Sequence, residues 1–498
     1  MKKAIYLILA LTPLLISCNK DEPDTSSSEN VTIMEDGQIL ADNIYFNINF
    51  DATLEVAGAN SKSLTKLVIP SAIKISGKIY KVTSICREAF FDHTELTSIE
   101  LPKTLEYIGH AAFAGCIGLT KIEFPETLET IGHAAFSGCI GLTKIEFPET
   151  LKTIAHYAFY GCTGLTNIEF PETLKTIEHA AFYGCIGLTS IDIPNSVTTI
   201  EDATHYLQGA FSDCTGLTSV TLGSLVNIGA FAFHGCTGLT RIKIPDSVIN
   251  IGWGAFGFCQ GLTSVEFGNS VAIIGDIAFN QCTGLRTINL PNSVTNIGGG
   301  AFRDCSNLTF FTIPNSVTSI GASAFQNCKS LLSVTIPNSV TSIGRLAFNN
   351  CVGFLDIEIP NSVVSIGAGA FRECANLTSI TLSNSITSID EFTFHECLRL
   401  MSIEIPNSVT SIGQHAFSRS GLTSIKIPNS VTSIDIWAFI ECTNLNIVDV
   451  SWNQPISIER SVFTHAHLTT LYVPKGTKAL YANSNWCVSS GINIIEKD

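Results

Sequence analysis

The residues best suited to chemistry in this chain are histidines and cysteines, and both recur at fixed intervals. His110, His133, His156 and His179 follow one another at a spacing of twenty-three, each three residues before a phenylalanine. Imidazoles repeated at one place in a stacked structure, about 5 Å apart, could share a transition metal or titrate together near about pH 6. The four segments that carry them are near-copies of one another. Duplication alone therefore also accounts for the column, and no metal or cofactor is assigned from it.

Seventeen cysteines would suit a disulfide framework in an exported protein. Their spacing argues otherwise. Fourteen, from Cys116 to Cys442, each lie three residues after a recurring phenylalanine. A residue at one fixed place in every coil forms an inward column, where cysteine acts as a small apolar filler. Ladder geometry does not turn neighbouring thiols toward each other in pairs, and Ser420 takes the cysteine's place once. No CxxC spacing offers a zinc framework. HExxH, GxSxG, a phosphate-binding glycine loop and a calcium loop are also absent from the sequence. No catalytic residue is assigned, and the chain reads as a non-enzyme.

These columns require a repeating element to hold them. Phenylalanines recur from Phe90 to Phe463, mostly twenty-three residues apart, within the pattern VTxIGxxAFxxCxxLTxIxIPNS. The LTxIxI segment alternates as a strand does. Leu119, Ile122 and Phe124 turn inward while Lys121 and Glu123 turn outward. Pro-Asn-Ser then makes a turn, a second short apolar pair such as Val197 and Ile200 follows, and the glycines sit where positive φ is expected. One such coil cannot bury its apolar side, so stability must come from stacking. The expected fold is a β-rich, right-handed repeat solenoid of about 17 such units with short parallel strands. It should run over residues 82–466, with an N-terminal cap at 31–81 and a C-terminal cap at 467–498, about 80 Å long at one strand spacing per coil.

The first residues read as export machinery. MKKAIYLILALTPLLISC (1–18) has a basic start at Lys2 and Lys3 and an apolar run too short to span a bilayer. It ends in Leu15-Ile16-Ser17-Cys18, which resembles a bacterial lipobox, and so predicts lipidation at Cys18. Residues 19–30 are acidic and Ser-rich and read as a flexible tether. Lys20-Asp21-Glu22 resembles the export signal of Bacteroidetes surface lipoproteins. The expected location is the outer membrane facing the cell exterior, with the periplasmic leaflet as the alternative, and lipid as the only membrane anchor.

The repeat IPNSVTSIGxxAFxxCxxLTSI resembles the leucine-rich repeats of BspA-like bacterial surface proteins, the Treponema pallidum-type class, across residues 82–466. Ile69-Pro70 through Gly77–Val82 looks like that family's opening segment, and Leu471-Tyr472-Val473-Pro474 through Trp486 like its closing one. The resemblance implies surface binding of host matrix proteins or other bacteria and carries no catalytic residues.

Net charge −15, with only 14% charged residues, argues against nucleic acid. Binding is expected on the outward strand positions, where Arg241, Lys243 and an exposed Phe310 stand out, and where the repeat breaks. EDATHYLQ (201–208) adds six residues to one coil and offers His205 and Tyr206. Trp253 and Phe258 alter a nearby coil. A monomer that binds a protein or glycan is expected. A carbohydrate-capture protein and a structural envelope spacer are the alternatives.

Overall fold

A computed structural model describes residues 31–203, 207–486 and 492–497. The signal segment 1–18 and the tether 19–30 lie outside them. The described chain is a parallel-strand β-solenoid of about 18 turns with almost no helix. Outside the phenylalanine coils, Lys66–Val68 adds a parallel strand ahead of Ser98–Glu100 and Asn493–Lys497 one after Thr470–Pro474.

The chain enters through antiparallel strands β1 (Val31–Ile33), β2 (Ile39–Ala41), β3 (Ile44–Ile48) and β4 (Leu54–Ala59). After β5 (Lys66–Val68), a hairpin of β6 (Ala72–Ile75) and β7 (Lys78–Ile85) delivers the chain to the repeats, with β7 parallel to β4. At the far end Trp452, Tyr481 and Trp486 are buried. Their polar atoms are satisfied there: Trp452 Nε1 donates to Val431 O at 2.8 Å, Trp486 Nε1 to Ile456 O at 3.0 Å, and the Tyr481 hydroxyl to Trp452 O at 2.9 Å.

Most coils contribute one short strand to each of two sheet faces, whose ladders are interrupted in places. In the first, Lys121 pairs with Ser98 and Lys144, and Lys144 with Asn167, so like positions stand in register. In the second, Ile85, Ile108, Ile131, Ile154 and Ile177 form one inward file. Between the sheets lies one continuous apolar core. Its spine is the phenylalanine file, whose rings stack coil on coil at centroid separations from 5.2 Å (Phe90–Phe113) to 5.9 Å (Phe371–Phe394). The turn after each strand closes on a backbone bond such as Leu128 N to Pro125 O, 3.0 Å.

The cysteine file is buried and its thiols are free. It does more than fill space: Cys139 Sγ donates to Phe113 O at 3.1 Å, and Cys282 Sγ to Phe256 O at 3.1 Å, each reaching back to the coil before. Burial pushes the Cys162 and Cys259 thiols up to about 12, so they stay protonated donors.

The glycines divide into two kinds, and positive φ explains only one. Gly161, two residues after its phenylalanine, has φ +66 and open space around it; Asn327 and Asn350 hold the same place at φ 62 and 57. Gly132, in the Ile-Gly pair, has no positive φ. A Cβ there would lie 2.5 Å from Ile108 O of the preceding coil, so close approach of two backbones is what favours glycine, although Ala155 holds the same place in the next coil.

Candidate functional site

The outward side of the first sheet carries the largest array of exposed side chains. Ile122 is 3% exposed while Lys121 and Glu123 on either side of it stand in solvent. Lys66 pairs with Glu100 at 2.8 Å, Lys144 with Glu146, and Lys243 with Glu266 at 3.0 Å. Hydrogen bonding to Glu123 raises the Lys121 ammonium, and Lys144 holds the Glu146 carboxyl down. These pairs are solvated and add little stability; their effect is to fix a pattern of charge on a rigid ladder.

Grooves run along this face in its first coils. One of about 570 Å³ is bounded by Lys66, Glu100, Lys103 and Lys121; the next, about 540 Å³, by Lys121, Glu123, Lys144 and Glu146; a third, about 420 Å³, by Glu169, Glu172 and Asp192. Phe124 lines the first two, Phe147 the second and Phe170 the third. These three rings stack at 5.9 and 5.8 Å and are only half-buried, whereas isoleucine at the same place in other coils (Ile193, Ile244, Ile313) is fully buried. Phe124 is therefore not simply inward, as the strand alternation predicts: its ring is too long for the core pocket and its outer edge lines the grooves. The sequence signal was phenylalanine in place of isoleucine before the turn proline.

Arg241 and Lys243 lie exposed on strand Arg241–Lys243, farther along the same sheet. Phe310 is 56% exposed, in register with Thr287 and Ser333. The candidates at the broken repeat lie elsewhere. Trp253 follows strand Asn250–Ile251 of the second sheet, is 46% exposed, and shares a shallow groove of about 400 Å³ with Asp202, Ala203 and Asp276. Asp202 and Ala203, at the start of the insertion, and Trp253 thus form one surface. Phe258 is not part of it: half-buried at φ 60, it packs on His234 at 5.0 Å, and His234 on Phe231 at 5.6 Å, with Phe231 4.9 Å from Trp253. Cys18, His205 and Tyr206 fall outside the described residues.

The histidine column is not evenly stacked. His110 and His133 stack at 4.5 Å, His133 and His156 stand edge-on at 6.3 Å, and His156 and His179 approach to 4.0 Å. Two causes divide it. Tyr157 replaces a small residue and inserts its ring 5.4 Å from His133, and His156 is drawn to carboxylates, its Nδ1 lying 3.2 Å from Glu178 Oε2 and 3.8 Å from Glu201 Oε2. Burial lowers the basicity of His133, and its two histidine neighbours lower it further. His156, His179 and Glu201 bring ligand atoms within 4.8 Å of one another. The sequence showed the histidine spacing but not this set, because Glu178 and Glu201 sit where other coils have the Ile-Gly glycine.

A parallel solenoid with a charged, grooved strand face is a leucine-rich-repeat scaffold for protein interaction. The chain belongs to the BspA type leucine rich repeat family, whose sequence pattern matches residues 83–207, 205–331, 295–389 and 364–486. Among solved structures it is similar to a leucine-rich repeat protein from Bacteroides ovatus, at 28% identity and TM-score 0.62, over 88% of this chain and 99% of that one. A leucine rich cell surface protein from Faecalibacterium prausnitzii is 27% identical over 89% of this chain and 99% of that one, with TM-score 0.40. No curated protein matches the chain. No helix among the described residues is long and apolar enough to cross a membrane.

Proposed function

We propose that this protein is a cell-surface lipoprotein, anchored through acylated Cys18 and spaced from the membrane by residues 19–30, that binds a protein partner along its first sheet. The observation that carries this reading is the run of grooves lined by Phe124, Phe147 and Phe170, the first two edged by lysines and carboxylates and the third by carboxylates alone. Half-exposed aromatics beside oriented charges combine apolar area with electrostatic registry, the two ingredients of a protein-binding patch. Membership of a family of surface repeat proteins supports the same reading.

The test is a binding screen of residues 19–498 against immobilised host matrix proteins, bacterial surface proteins and a glycan array. A protein ligand is expected whose affinity falls more than about tenfold on Lys121→Glu with Lys144→Glu, equivalent to about 1.4 kcal/mol. Both side chains are exposed, so folding is unaffected. If no protein binds, or if a ligand binds equally to the charge-reversed chain, this face is not the binding site. Protease shaving of intact cells, with Cys18→Ala as the released control, tests the anchoring and its orientation.

A further inference from the structure

The repeat is most disturbed where the second sheet breaks. A ten-stranded sheet ends at Thr176–Ile177 and a seven-stranded one begins at Asn227–Ile228. Only the isolated bridges Ile177–Ile200 and Thr199–Asn227 connect them among the described residues. The ladder loosens on the approach to this seam. The bond from the Ile-Gly position to the coil before measures 2.8 Å at Gly109 and Gly132, then 3.0 Å at Ala155, 3.1 Å at Glu178 and 3.4 Å at Glu201; it returns to 2.8 Å at Gly252. A Cβ at Gly132 would meet Ile108 O at 2.5 Å, so Ala155, Glu178 and Glu201 stand where glycine fits more closely, although Asp435 holds the same place with a bond of 2.9 Å. Two glutamates thus occupy the glycine place in successive coils, and both turn toward the histidine file.

We propose that His156, His179 and Glu201 form a binding site for one divalent transition-metal ion of the zinc class, which clamps three successive coils across the seam. Two imidazoles and a carboxylate are a donor set zinc accepts. Their ligand atoms, within 4.8 Å of one another, need to close by only about 1.5 Å to reach the roughly 3.4 Å separations of a tetrahedral site with 2.0–2.1 Å bonds. The fourth vertex falls to water or to Glu178, whose Oε2 accepts the His156 backbone N–H at 2.8 Å and is therefore already held beside the imidazole. His179 is 5% exposed and the Glu201 side chain 42%, so the site is rooted in the core and open at one side for entry. Burial, and then the neighbouring charge of Glu178, push the Glu201 carboxyl up, a repulsion that a dication relieves. Tyr157 closes the other flank, edge-on to His179 at 5.1 Å, and its hydroxyl donates to Gln208 Oε1 at 2.6 Å, tying the insertion to the same coil.

Zinc titrated calorimetrically into the untagged, chelator-dialysed protein tests this. One ion per chain is expected, with a rise in melting temperature. His156→Gln and Glu201→Gln should each weaken binding by more than about tenfold, while His110→Gln with His133→Gln leaves it unchanged. Cobalt(II) in place of zinc should give tetrahedral d–d bands with no thiolate charge-transfer band. Absence of zinc binding overturns the proposal and leaves the cluster as paired charges. Binding that survives Glu201→Gln, that is lost in the His110/His133 control, or that shows the thiolate band overturns it equally. Glu201 is half-exposed, so its variant decides the matter should His156→Gln fail to fold.

Discussion

Replacing Phe302 by alanine should divide the solenoid into two separately melting halves. Phe302 is fully buried, stacks on Phe279 and on Phe325 at 5.6 Å each, and touches Phe311 at 5.0 Å. Truncating a buried phenylalanine costs about 3–5 kcal/mol. Losing two ring stacks, each worth about 0.5–1.5 kcal/mol beyond area burial, places this variant near the top of that range. In a stack where each coil contacts only its neighbours, the whole loss falls on the two interfaces that Phe302 shares, and the halves on either side keep their own stability. Tryptophan fluorescence can report each half, because Trp253 precedes the lesion whereas Trp437, Trp452 and Trp486 follow it. Urea denaturation of variants retaining only one set should give coincident curves in the parent background and separated curves with Phe302→Ala. Phe310→Ala, on a neighbouring strand but 56% exposed, should shift neither curve by more than about 0.5 kcal/mol. Coincident curves in Phe302→Ala, or an equal effect from Phe310→Ala, would refute the idea that stability is the sum of nearest-neighbour ring contacts.

Acidification should destabilise the fold between about pH 7 and 5. Burial lowers the basicity of His133, His234, His395 and His415, so the unfolded chain binds more protons in this window. The stability they confer is complete above the ordinary histidine value of 6.5 and is lost as pH falls through the depressed ones. Melting temperatures measured in chelator should fall accordingly, and less steeply for His234→Gln, because that ring is buried with neither nitrogen hydrogen-bonded; a flat profile contradicts the assignment. The thiol file should be inert: in native protein at about pH 8, below the raised values of the buried file, a thiol reagent should modify no more than Cys18, Cys86 and Cys487, which alone lie outside it. Reaction of further thiols before unfolding counts against the buried-donor role. Gly132→Val should cost about 1–3 kcal/mol through overpacking, more than Gly132→Ala, which the next coil already carries as Ala155. Gly161→Asn, at a place other coils give to asparagine, should be close to neutral in the same chemical denaturation assay; the reverse order would mean that φ, and not backbone approach, governs the Ile-Gly pair.

The legible part of this fold is what every coil repeats. Phenylalanine at a constant interval can only be a stacked file, and the outward place of Lys121 follows from alternation with Ile122. Contacts that depend on which atom of a neighbouring coil lies opposite were not legible. Sequence spacing places Cys139 inward, but its donation to Phe113 O depends on the path of the backbone between coils. The same holds for the Ile-Gly glycine, which is favoured because of Ile108 O one coil away. The histidine file shows both sides of this limit: its spacing was plain, but its division into two pairs is imposed by Tyr157, Glu178 and Glu201, which break the repeat rather than follow it.

Alternation also indicates where along the solenoid binding is concentrated. Inward positions of the first sheet stay aliphatic or aromatic from Ile99 to Val448, because each ring or methyl is fitted between two coils and a change is felt by both. Outward positions are free of that constraint, so they can change without loss of stacking. Each coil from Lys66 to Asp192 carries a charge there, as do Arg241, Lys243 and Glu266, and beyond them the row is largely serine, threonine and asparagine, with Asp356 and Glu358, as far as Thr381. A solvated face needs no such difference, since either composition keeps the ladder soluble. The charged stretch coincides with the half-exposed Phe124, Phe147 and Phe170, and the seam at Glu201, on the second sheet, falls in the same half of the chain. Departures that stacking does not require therefore gather in the N-terminal half. Glutamate introduced at Lys121 and Lys144 should consequently weaken ligand binding more than glutamate introduced at Thr287 and Ser333, positions equivalent in the ladder that carry no charge of their own. Equal losses at the two places, measured against one ligand, would mean that the face binds along its whole length and that this asymmetry is without functional meaning.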